Sequence, residues 1–241
     1  RFEAKKKKSV SATQTTINVQ GNGNVVGNRS KNEVQQGALI SSTSEQPRQN
    51  VRKTYSFQQA ILFVMANPKG SAPLRLLDED RVIEECLSGG VEEGRIILKR
   101  LPAATINDLR RAILNSNFTI LHFSGHGWNN KIYLEKDDGT QIEVSLSLLL
   151  NDYLARVKSI RCIVLNACHT NTELISADHE RYVITINDEI LDEAAIEFSR
   201  GFYDAINAGK NIQFAFQEGC YAMTFSGYKN ESNKMTIHSH I

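Results

Sequence analysis

Paired cysteines are missing from this chain. Its four, Cys86, Cys162, Cys168 and Cys220, lie far apart, so no CxxC spacing offers a zinc knuckle or a redox dithiol. Long hydrophobic runs are missing too. None approaches the roughly 18 residues of a membrane-spanning helix, and no secretory signal opens the chain. A reducing, cytoplasmic setting is therefore expected, with no membrane partner. Charge of one sign is also lacking: 28 Lys and Arg against 27 Asp and Glu leave a net +1. That balance gives no electrostatic reason to expect nucleic acid, and Lys5 to Lys8 read as a solubilising tail. An initiating methionine is absent, so Arg1 is expected to open a fragment or a processed product.

What is present divides near residue 55. The first 55 residues are rich in Asn, Gln, Ser, Thr, Gly and Lys, too polar to offset chain entropy by burial. Residues 1–40 are expected to be disordered alone and 41–55 to be a linker. Residues 56–227 are expected to form the folded domain, and 228–241 a C-terminal tail. A domain of that size buries about 70% of its unfolded surface and needs no disulfide or metal to hold it.

Within the domain, Ile61 to Met65 reads as a buried strand ended by Asn67-Pro68-Lys69-Gly70. Leu74 to Leu87 recur at helical spacing, with Gly89-Gly90 as the expected stop. Strands are expected at Arg95 to Leu101, Phe118 to Phe123, Cys162 to Leu165 and Tyr182 to Ile186. Thr105 and Asp108 look like a helix start, and Asp137-Asp138-Gly139 like a hairpin turn. Helices are expected from Ser145 to Val157 and from Ala194 to a stop at Gly209. Alternating buried strands and helices predict an α/β sandwich with a mainly parallel sheet.

Sites on such sheets form beyond the carboxyl ends of strands. Two expected strands end there in Ser124-Gly125-His126-Gly127 and Asn166-Ala167-Cys168-His169. A thiol is mostly protonated at neutral pH, so a nucleophilic Cys needs a nearby imidazole. Glycines beside His126 permit close backbone approach and leave N–H groups for an oxyanion. His122 reads as a core side chain, and His169 would point away from Cys168 on extended backbone. Zinc bound by His122, His126, Cys168 and His169 lacks the close pairs such sites show. No cofactor is expected.

LHFSGHG (Leu121 to Gly127) and VLNAC (Val164 to Cys168) resemble the signature segments of the CHAT family, a caspase-like branch of the caspase/separase peptidase clan. The likeness covers nearly all of residues 57 to 219, in the family's order. It implies a three-layer caspase-like sandwich and cysteine endopeptidase activity on an unidentified protein. It also implies His126 and Cys168 as the catalytic pair, and an oxyanion hole from the backbone N–H groups of Gly127 and Cys168. Thr185 departs from the glycine usual at that strand end. In related members the position of Asn166 lines the substrate pocket, where an acidic group selects Arg or Lys. Asn166 is neutral, so Asp188 or Glu189 is the expected carboxylate and a basic or polar residue the expected preference. A catalytically silent caspase-like adaptor or an assembly protein is the alternative.

Residues 15–28 (TTINVQGNGNVVGN) alternate in a regular way. Ile17, Val19, Gly21, Gly23, Val25 and Gly27 make one face apolar or bare, and amides such as Gln20 and Asn24 fill the other. Stacked in register, amides form ladders and the small face closes as a dry zipper. The spacing Gly21, Gly23, Gly27 misses a dinucleotide-binding loop by one position. The segment is similar to amyloid signalling motifs of bacterial and fungal immune proteins, themselves similar to the RIP homotypic interaction motif. That resemblance implies an effector of immunity or cell death, an upstream nucleotide-binding sensor as partner, and self-association into a homo-oligomer.

Overall fold

The structure, a computed structural model, describes residues 58–170 and 181–239. The motif at 15–28 and the linker at 41–55 lie outside the described residues. Strand β1 (Gln59–Ala66) leads into helix α1 (Leu76–Glu92), β2 (Ile96–Leu101), α2 (Ile106–Asn115) and β3 (Ile120–Gly125). A small antiparallel sheet follows, made of β4 (Gly127–Trp128), β5 (Lys131–Glu135) and β6 (Gln141–Ser145). Then come β7 (Cys162–Asn166), β8 (Tyr182–Ile186), α3 (Asp192–Asn207), α4 (Ile212–Phe225) and β9 (Met235–Ser239).

The main sheet runs β2-β1-β3-β7-β8-β9. All pairings are parallel except β8 with β9. It is the middle of three layers, because alternate residues of each buried strand feed two separate cores. Ile61, Phe63 and Ile120 pack with Ile83, Phe198 and Phe202 of α1 and α3. Leu62, Val64 and Leu121 pack with Leu109 of α2 and with Ile132 and Leu149 on the opposite side. The expected fold class, a three-layer α/β sandwich with a mainly parallel sheet, is the one observed. No helix among the described residues is long and apolar enough to cross a membrane.

Local rules account for most boundaries. Thr105 Oγ1 accepts from the Asp108 N–H while Asp108 accepts from the Thr105 N–H, a reciprocal cap that starts α2. Gly89-Gly90 does not stop α1. A Cβ at Gly90 would lie 2.5 Å from Ile96 Cδ1 and 2.5 Å from Asn207 Oδ1, so glycine there serves close packing. The stop is Gly94 at φ +73°. Its N–H reaches Val91 O, and the Arg95 N–H reaches Gly90 O, the paired bonds that satisfy a helix end.

One expectation is refined and another corrected. Residues 146–156 are helical, as expected, but irregularly so, widening to a π-helix over Leu148–Tyr153 and tightening to a 3-10 turn over Leu154–Arg156. The Arg181 guanidinium takes the Leu154 and Val157 carbonyls, which relieves these acceptors of any need for a continuing helix. The segment 228–241 is not merely a tail. Met235–Ser239 pairs with the whole of β8 and closes one edge of the sheet.

Candidate active site

The chain leaves β1 for β2 on one side and builds β3, β7 and β8 on the other. The crevice at the carboxyl ends of β1 and β3 is therefore the switch point of the sheet, where ligands of open α/β folds bind. His126 follows β3 there and Cys168 lies just beyond β7, and both line one cavity.

The loop after β1 orients the imidazole. His126 Nε2 is 2.8 Å from Ala72 O and 3.3 Å from Asn67 Oδ1. Both partners are acceptors, so Nε2 carries the proton and Nδ1 is left as the basic nitrogen. Asn67 is itself held by its backbone N–H donating to Glu135 Oε1 at 3.0 Å.

Cys168 is half-buried, and burial pushes its thiol above the ordinary value. The Ile190 backbone N–H and Lys234 pull it down, while Glu189 and Asp192 raise it further. The resting thiol is thus protonated at neutral pH and needs a base to attack. No hydrogen bond joins His126 to Cys168 among the described residues; such contacts commonly tighten only when substrate is bound.

The turn after Cys168 is tight. His169 sits at φ +53°, a left-handed conformation that costs a side-chain-bearing residue roughly 1–2 kcal/mol. Its carbonyl accepts from the Asn130 N–H at 3.3 Å, and its ring packs edge-on against Trp128 with centroids 4.4 Å apart. Gly127 faces this turn. A Cβ there would fall 2.7 Å from Cys168 O and 3.0 Å from Ala167 Cβ. The two backbone positions expected to bind an oxyanion therefore adjoin.

The remaining expected site residues fall unevenly. Asn166 lines the cavity, but its amide is turned inward and donates to Glu79 Oε1 at 2.8 Å. Asp188 is exposed and is not part of the lining, and neither is Glu189, whose carboxylate stands 4.0 Å from His169 Nε2. Thr185 is fully buried, and its hydroxyl has no partner among the described residues. His122 is wholly buried, Nδ1 against the Tyr203 hydroxyl at 3.0 Å, with its pKa pushed down to about 3 by burial. Cys86 and Cys162 are buried thiols raised by burial, Cys86 to about 12.

Two residues escaped the sequence reading. Asn67 stands in a turn signal and gave no chemical cue of its own. Glu79 did carry a cue: it lies at helical spacing with Val82, Ile83 and Cys86 on the apolar face of α1, an unusual place for a carboxylate.

These features define an α/β protein with a candidate thiol–imidazole site at the switch point of its sheet. The model of the CHAT domain family matches residues 28–226, and the chain belongs to that family. A Roc-COR-CHAT protease of Runella zeae is 26% identical over 176 residues, covering 70% of this chain but 18% of that protein. The chain thus spans less than a fifth of that relative. Among solved structures, the Arg-specific cysteine proteinase gingipain R superposes with a TM-score of 0.49 at 14% identity, over 76% of this chain and 46% of that one.

Proposed function

We propose that this chain carries the catalytic domain of a cysteine endopeptidase. The observation that supports it most is the meeting of His126 and Cys168, from two loops, in one cavity at the sheet's switch point. In this reading Cys168 Sγ attacks the scissile carbonyl carbon while His126 Nδ1 takes the thiol proton. The backbone N–H groups of Gly127 and Cys168 bind the resulting oxyanion. Collapse breaks the C–N bond, His126 gives its proton to the leaving amine, and water then hydrolyses the thioester. Asp192 lines the same cavity beside Arg75, and the neutral Asn166 brings no strict charge selection, so a basic or polar residue before the scissile bond stays the expected preference. Proteome-wide mapping of new amino termini should show cleavages made by the wild type and absent with Cys168→Ala. Identical maps would leave the silent adaptor in its place.

The setting belongs to the same reading. The alternation over residues 15–28 supports recruitment by cross-β templating from an upstream nucleotide-binding sensor, in an immune or cell-death pathway of a prokaryote or fungus. Stacking would raise the effective concentration of attached domains towards millimolar and favour their self-association. Gly23→Pro removes a ladder donor, and Val25→Asp buries repelling charges in every layer. Each should abolish amyloid-dye binding by a peptide of residues 1–50 and toxicity of the whole chain. Neither should alter Cys168 alkylation. A peptide that stays monomeric with preformed sensor seeds reduces the segment to a tether.

A further inference from the structure

The end of β7 and the end of β3 are tied together from behind. Glu79 enters from α1 and is 3% exposed. Ser124 Oγ donates to its Oε2 at 2.5 Å, and Asn166 Nδ2 to its Oε1 at 2.8 Å. Ser199 Oγ of α3 donates to Oε1 at 2.6 Å, and His122 Nε2 stands 3.5 Å away. Ser124 and Asn166 pair directly in the β3–β7 register, and theirs is the last rung of that ladder. Beyond it the strands diverge into loops, with His126 two residues past one partner and Cys168 two residues past the other.

No Lys or Arg side chain forms an ion pair with Glu79 among the described residues, and the one imidazole near it is held neutral by burial. Burial raises the carboxyl's pKa, while Ser124, Ser199 and Asn166 pull it down by hydrogen bonding. A carboxylate in such a place is costly to bury, and replacing the whole network by apolar side chains would serve packing as well. The network instead spends its polar atoms on the two residues that precede the candidate catalytic pair.

We propose that Glu79 is a positioning residue of the candidate active site, setting the separation of His126 and Cys168 by clamping Ser124 and Asn166 at the strand ends. The proposal rests on the peptidase reading above. Ser199 makes the same kind of bond to the same carboxylate but belongs to neither site strand, so it is the internal control. Ser124→Ala and Ser199→Ala delete chemically equal groups. Positioning therefore separates them in turnover, where a purely structural role would not.

The experiment measures alkylation of Cys168 by iodoacetamide against pH, read by peptide mass, beside kcat, KM and Tm. The substrate is a quenched peptide selected from a library with the wild type. Ser124→Ala should lower kcat about tenfold more than Ser199→Ala at similar Tm, with KM moved less than about threefold, since a misplacement near 1 Å costs about a hundredfold. Glu79→Ala should lower kcat to about the level of His126→Ala while Cys168 is still alkylated. Glu79→Gln keeps an oxygen for Asn166 and Ser199, and a rotated Ser124 hydroxyl can accept from its amide. It should keep about a third or more of kcat. Equal kcat for the two serine variants overturns the proposal, as does a folded Glu79→Ala with wild-type kcat. A wild type inert to iodoacetamide and to the library overturns the peptidase reading itself, and this proposal with it.

Discussion

Cys168→Ala is expected to lower peptide hydrolysis by at least about a thousandfold, and His126→Ala by about a hundred- to ten-thousandfold. Among the described residues that line the cavity, Cys168 alone carries a sulfur, and burial holds its thiol protonated at neutral pH. Without a base the attacking species is therefore scarce. The fold should survive, because both residues lie on loops outside the two cores. The pair should also act as a unit, so the double variant should be little worse than Cys168→Ala. In the free protein, alkylation of Cys168 should rise with pH beyond the ordinary thiol range, since its pKa is raised. Cleavage by Cys168→Ala above about a tenth of wild type would overturn the assignment, since a nucleophile supplies far more than that.

Gly127→Ala should cost about a hundred- to a thousandfold in kcat with little change in KM. The added methyl would stand 2.7 Å from Cys168 O, 3.0 Å from Ala167 Cβ and 3.2 Å from Lys131 O. Two of these are backbone atoms that no rotamer change can move aside. Relief must come from shifting the turn that carries the nucleophile, or from displacing the Gly127 peptide. Either spoils the geometry around a developing oxyanion. The overpacking itself should lower stability by only about 1–3 kcal/mol, so thermal unfolding would still show a folded protein. Wild-type kcat in Gly127→Ala would mean that this backbone has room to yield and is no part of the reacting geometry.

Much of the fold was legible because the signals were local. β1, β3 and β7 are short apolar runs buried on both faces, and their composition alone marks them as inner strands. The cap of α2 needs only Thr105 and Asp108, and the hairpin only the turn at Gly139. β9 was not legible in the same way. Met235–Ser239 is only half-covered along most of its length, so its strand character comes from β8 rather than from its own pattern. Gly90 misled for a related reason, as its meaning lies in Ile96 and Asn207, which helix rules do not see.

By itself the sequence determined the kind of sheet, the two loops that hold an imidazole and a thiol, and the polar character of the first 55 residues. Each depends on near neighbours along the chain. Only the tertiary structure decided that Nε2 of His126 is held by Ala72 O and Asn67, that Asn166 turns inward, and that Asp188 stays outside the cavity. It also decided that Glu79 joins two strand ends 45 and 87 residues away along the chain. Hydrogen bonds over such separations exist only once the chain is closed, because the direction and burial of each polar atom are set by whatever packs across from it.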